Sequence, residues 1–116
     1  MNQIIPYGKQ EITEPDLTAV VNILKSDFLT QGPTVIAFEE DLAKFAKSKY
    51  AVAVNSATSA LHIACLSLDL KKGDILWTSP ISFVASSNCA LYCGADVNFV
   101  DIDPQTYNMS TKDLEK

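Results

Sequence analysis

Glycine is scarce in this chain: 116 residues contain four, and none falls between Val52 and His62, in Val-Ala-Val-Asn-Ser-Ala-Thr-Ser-Ala-Leu-His. That stretch has the form of a buried strand running into a helix, a junction where open α/β sheets bind phosphates through loops usually rich in glycine. The chain also lacks any apolar run near the ~20 residues needed to span a bilayer. Its first ten residues lack the charged and apolar regions of a secretory leader. The expectation is a cytoplasmic protein. A net charge of −5 leaves no clustered cations for a nucleic acid or an anionic membrane surface, so neither is an expected partner. Internal repeats and low-complexity segments are missing as well.

Cysteine is sparse. Cys65, Cys89 and Cys93 suit a reducing compartment better than a disulfide framework. Cys89 and Cys93 would share one helix face. A metal is one use of that pair, but with a single histidine and no second cysteine pair the set is incomplete, and buried structural thiols are favoured.

The residues that are present, 47% of them hydrophobic and 20% charged, describe a globular chain of one-domain size. Residues 1–13 show no sustained periodicity and read as an N-terminal arm. Thr13, with Pro15 and Asp16 after it, resembles a helix start. Leu17, Val20, Val21 and Leu24 follow on one helical face, and the helix should end near Ser26. Gly32-Pro33 marks a loop leading into a second helix with Phe38, Leu42 and Phe45 as its buried face, closed by Lys47 and Lys49. Tyr50–Val54 is apolar and β-branched, a buried strand. Ala57, Ala60, Leu61, Ala64, Cys65 and Leu68 then repeat at helical spacing.

Residues 71–74 form a turn and 75–78 a second strand, with Trp77 in the core. Ser79-Pro80 breaks the chain, Ser82–Tyr92 reads as a helix ending before Gly94, and 97–100 is a third strand. Ser110, with Asp113 three residues on, opens a last helix. Strands alternating with helices predict an α/β fold with a mainly parallel sheet, helices on both faces, and right-handed crossovers. The sheet is incomplete, as if the sequence stopped within the fold.

The turn 55–59 lies at the carboxyl end of the first expected strand. A helix start there offers unpaired N–H groups and a partial positive charge. Ser56, Ala57, Thr58 and Ser59 are small enough to admit a phosphate, and their hydroxyls add donors. Simple helix capping explains the same residues equally well. His62 lies one residue off the apolar stripe and is favoured as a packed or surface residue over a catalytic base. Phe83 could stack on a flat ligand or pack in the core. Asp101 and Asp103 could face a cation, but a solvated strand end is favoured because no third oxygen ligand is in view.

Taken in order, Leu29-Thr-Gln-Gly-Pro33, Phe38-Glu-Glu-Asp-Leu42, Val54-Asn-Ser-Ala-Thr-Ser-Ala-Leu-His62, Gly73-Asp74, Thr78-Ser-Pro-Ile-Ser-Phe-Val-Ala85 and Val100-Asp-Ile-Asp-Pro104 form a more specific signal than any one of them. The series resembles the DegT/DnrJ/StrS family of sugar aminotransferases, and the resemblance covers nearly the whole chain. It implies the large domain of the type I, aspartate-aminotransferase fold, with residues 14–116 as its N-terminal portion and pyridoxal 5'-phosphate (PLP) as cofactor. The run Trp77–Ala95, with Ile5-Pro-Tyr-Gly-Lys-Gln10 upstream, is most similar to the branch acting in pseudaminic acid-type biosynthesis. That branch carries an amino group from glutamate to the 4-keto position of a UDP-linked 4-keto-6-deoxy-N-acetylhexosamine.

The resemblance also implies roles. Ala57, Thr58 and Ser59 match the positions that hold the PLP phosphate, and Phe83 matches an aromatic stacked on the pyridine ring. Tyr7, Leu29 and Thr30 fall near the sugar-nucleotide site, and the family's homodimers share active sites across their interface. The family's chemistry needs a Schiff-base lysine and an acid facing the pyridine nitrogen. Neither has a matching position here. None of the nine lysines sits in such a context, so no catalytic residue is expected in this chain and it should be inactive alone. A sugar dehydratase of the same fold is a close alternative. A small non-catalytic α/β module binding a phosphate ligand or a protein is a more distant one.

Overall fold

The computed structural model describes residues 6–116; the first five residues of the expected arm lie outside that range. The chain divides into two units, Met1–Ala53 and Val54–Lys116.

In the first unit, α1 (Glu14–Leu24) starts as its sequence predicts. The backbone N–H and the hydroxyl of Thr13 both donate to Asp16 Oδ2, at 2.8 and 2.7 Å. The helix stops at Lys25, where the Ser26 hydroxyl donates to the Ile23 carbonyl at 2.8 Å. The chain then doubles back so tightly that a Cβ on Gly32 would lie 2.6 Å from Phe28 Cβ, which reserves that position for glycine. Pro33 occupies the first turn of α2 (Pro33–Ala46), where its missing N–H costs nothing. Beyond α2, Lys47 adopts a left-handed φ of 53°. Its N–H bonds to the Lys44 carbonyl and that of Ser48 to the Ala43 carbonyl, a Schellman closure built without glycine.

Two expectations are corrected in this unit. The faces formed by Leu17, Val20, Val21 and Leu24, and by Phe38, Leu42 and Phe45, are exposed, with Phe45 at 88%. Periodicity selects the stripe that a partner would cover; burial also needs the partner. Residues Tyr50–Val54 form no strand, and Val52 is 73% exposed. A strand is completed by a neighbour's hydrogen bonds. Here the Ala53 N–H instead donates to Glu39 Oε1 at 2.8 Å.

The second unit holds the core. α3 (Ala57–Ser67) ends in a Schellman closure with Asp69 at a φ of 58°. The expected turn at 71–74 is closed by Asp74, which receives the Lys71 N–H on its carboxylate at 2.9 Å. β1 (Ile75–Thr78) follows, then an irregular stretch, α4 (Ala85–Tyr92), β2 (Asp96–Phe99) and a short α5 (Thr111–Leu114). Ser110 caps α5 by accepting the Asp113 N–H at 3.2 Å, as its spacing predicts. β1 and β2 pair in parallel, Ile75 with Asp96 through Thr78 with Phe99. β2 lies one residue before its expected position.

α4 packs on α3 and on both strands. Cys65, Ala85, Cys89, Ala90, Ala95 and Val100 are buried, so this core is built mostly of small side chains. At the end of α4, Gly94 takes a φ of 78°, letting its N–H reach the Leu91 carbonyl and that of Ala95 the Ala90 carbonyl. This closure folds buried Ala95 against buried Ala90.

The structural thiols are borne out at Cys65 and Cys89, with Cys93 half-buried. Burial, reinforced by the neighbouring Cys89, pushes the Cys65 thiol up to about 11. Trp77 is not core but 47% exposed. Leu76 and Val97 share the half-buried face of the two-stranded sheet, and Ile75 and Trp77 alternate onto the open one. Among the described residues no helix is long and apolar enough to cross a membrane.

Candidate functional site

At the start of α3, Ser56 is the N-cap, with extended dihedrals of −162° and 157°. Its Oγ accepts the Ser59 N–H at 3.2 Å. The Ser59 hydroxyl donates to Asn55 Oδ1 at 2.7 Å. These bonds satisfy one of the first-turn donors. The N–H groups of Ala57 and Thr58 have no acceptor among the described residues, because the carbonyls they would use in a longer helix lie outside it. Capping and anion binding are therefore compatible at this turn: one donor is capped and two are free. The helix dipole adds positive potential at the same point. Ala57 is exposed, and Thr58 and Ser59 are half-buried.

A second feature lies at the carboxyl ends of the parallel strands. Ser79, following β1, and Phe99, closing β2, line an open cleft of about 240 Å³ with Pro80, Ser82, Phe83 and Ser86. Open α/β sheets bind ligands at this edge. The cleft lies below the roughly 300–1,000 Å³ of pockets for drug-sized ligands. Phe83 is 74% exposed and lines this cleft. Helix α4 begins at Ala85, not at Ser82 as periodicity suggested. Serines bond locally and compete with helical backbone: the Ile81 N–H donates to Ser79 Oγ at 3.2 Å, and the Ser82 and Ser86 hydroxyls meet at 2.9 Å.

The remaining candidates separate by unit. Tyr7 lies fully exposed ahead of α1, and Leu29 and Thr30 are exposed between α1 and α2. His62 packs edge-on against Tyr92, with ring centroids 5.3 Å apart, in keeping with a packed role. Asp103 closes its own turn, its Oδ1 accepting the N–H groups of Gln105 and Thr106, each at 2.9 Å; those bonds hold its carboxyl below the usual range. Sequence reasoning overlooked Ser82, Ser86 and Phe99. Phe99 closes β2, Ser82 lies in the stretch after β1 and Ser86 in the first turn of α4; that they line one cleft is legible only once the strands are known to be parallel neighbours.

Solved structures define the class. The chain is similar to a Streptococcus pneumoniae protein assigned as a sugar aminotransferase, solved in apo, PMP and PLP forms, with a TM-score of 0.89 and 32% identity, over 96% of this chain and 28% of that one. A GDP-4-keto-6-deoxymannose-3-dehydratase with bound GDP-perosamine gives 0.88 and 30% identity, over 95% and 30%. Residues 10–116 match the DegT/DnrJ/EryC1/StrS aminotransferase family, and the chain belongs to that family. It is 42% identical over 112 residues to the UDP-4-amino-4,6-dideoxy-N-acetyl-beta-L-altrosamine transaminase of Campylobacter jejuni, covering 97% of this chain and 29% of the relative. The chain thus spans under a third of the length of the curated relatives it matches.

Proposed function

We propose that these residues form the phosphate-binding and ring-stacking wall of a PLP-dependent nucleotide-sugar aminotransferase. The two free N–H groups at the start of α3 carry this reading, because a phosphate needs donors that the protein itself has not used. Ala57 and Thr58 would donate through their backbones and Thr58 through its hydroxyl. Ser59, whose proton is directed to Asn55, would hold the turn in shape. Phe83, exposed in the lining of the cleft, would stack on the pyridine. When bound, the cofactor supplies an electron sink for the carbon whose amino group is exchanged.

On this reading the complete protein is a cytoplasmic homodimer with shared active sites. It transfers an amino group from glutamate to the 4-keto position of a UDP-linked 4-keto-6-deoxy-N-acetylhexosamine, in pseudaminic acid-type biosynthesis. Tyr7, Leu29 and Thr30 border the sugar nucleotide. The anchoring lysine comes from outside these 116 residues, and the chain alone is inactive. The test is the complete reading frame, expressed and assayed for a PLP–lysine absorbance band and for glutamate consumption that depends on the ketosugar. Absence of both rejects the reading. The dehydratase neighbour favours a second reading, in which another residue replaces that lysine; a purified enzyme that eliminates water from its ketosugar without net amino transfer would establish it.

A further inference from the structure

Phe83 is exposed, so packing does not fix its ring. What remains is the backbone around it. The residue opening α4, Val84, has helical dihedrals and a side chain that cannot cap. The usual restraint on a helix start is therefore missing at the point where the chain must aim an aromatic ring. Two bonds bracket the residue instead. The Ser86 N–H donates to the Phe83 carbonyl at 3.0 Å, and the hydroxyls of Ser82 and Ser86 meet at 2.9 Å. The second bond joins the residue before Phe83 to the first turn of α4, and it spans the cleft lining to which all three residues belong.

We propose that Ser82 and Ser86 are positioning residues for the cofactor ring: their hydroxyl pair fixes the backbone at Phe83 so that its ring stands over the cleft. This rests on the cofactor reading above. It assigns the two serines to ring binding and not to phosphate binding, which belongs to the start of α3.

The test uses the complete protein, stripped of cofactor and titrated with PLP by absorbance, with inorganic phosphate as a competitor. Ser82→Ala and Ser86→Ala should each weaken PLP about fivefold, the scale of one net hydrogen bond. Phosphate competition and melting temperature should stay at the parent values. Ser82→Thr, which keeps the hydroxyl, should restore PLP affinity. Equal weakening of PLP and phosphate, or a threonine variant no better than alanine, overturns the proposal in favour of a generally structural role. Parent-like PLP uptake by both alanine variants overturns this proposal alone. A parent protein that takes up no PLP overturns the cofactor reading, and this one with it.

Discussion

Residues 6–53 and 54–116 use similar amounts of helix to different ends. In the first unit both helices have well-made ends and no buried residue. In the second, α4 packs on α3 and on a parallel strand pair, with Cys65, Ala85, Cys89 and Ala90 buried. Helix boundaries are local and are written in a few residues: a Thr13–Asp16 bond, a proline at the first turn, a left-handed residue at the end. Burial is not local. The same amphipathic spacing that closes a core where a partner is present leaves an open stripe where none is.

The greatest contrast should come from the core. Ala90 has no exposed surface and touches the closure at Gly94. Ala90→Leu forces extra methylenes into the packing around α4 and should cost the second unit about 1–3 kcal/mol in denaturant unfolding. Exchange protection of α1 and α2 amides should be unchanged. If α1 and α2 lose protection in step, the two units unfold together and the contrast drawn between them fails.

The next effect compares one motif across the two units. Schellman closures end α2, α3 and α4, with Lys47, Asp69 and Gly94 in the left-handed position. A Cβ at Gly94 would meet nothing nearer than the Lys72 nitrogen at 4.0 Å. The cost of Gly94→Ala is thus conformational, about 1 kcal/mol. Lys47→Gly and Asp69→Gly remove the same strain and should each gain up to about 1 kcal/mol. Thermal melts check the signs: Gly94→Ala should lower the melting temperature, and Lys47→Gly in the first unit and Asp69→Gly in the second should raise it.

These closures also show how far the sequence could be read. Thr13, Pro33, Gly94 and Ser110 marked element ends correctly, because each acts on backbone groups within a few residues of itself. The strand expected at Tyr50–Val54, the buried faces of α1 and α2, and the core position of Trp77 were wrong for one shared reason: each depends on a neighbour supplied from elsewhere. The site divides in the same way. The α3 start was legible as small hydroxyl residues after an apolar run, whereas the cleft at Phe83 and Phe99 depends on β1 and β2 lying side by side.

A smaller effect probes the start of α1. The Thr13 N–H and hydroxyl hold the Asp16 carboxyl below its ordinary value. A carboxyl lowered in the folded state lends stability that is complete above about pH 4 and is lost as pH falls through the lowered value. Helicity followed by circular dichroism should therefore decline at the acid end in the parent. Thr13→Ala should cost α1 about 1 kcal/mol or less and shift that decline to higher pH. An acid profile identical in parent and variant would remove the bond from the account of this helix end.

The smallest expected effect is the sharpest test of the comparison. Val20 lies in the middle of the α1 stripe, is 58% exposed, and lines an open cleft of about 320 Å³ with Ala19, Ile23, Leu24 and Thr34. In the 116-residue chain Val20→Ser removes little buried surface and should change stability by less than about 0.5 kcal/mol. In the complete protein the outcome depends on whether anything covers the stripe. A cost of about 1.5 kcal/mol or more there, the scale of an aliphatic side chain leaving a buried site, would mean that α1 is a core helix whose partner lies in the remaining sequence. An unchanged value in both would make the stripe a true surface, and the difference between the two units a lasting property of the protein.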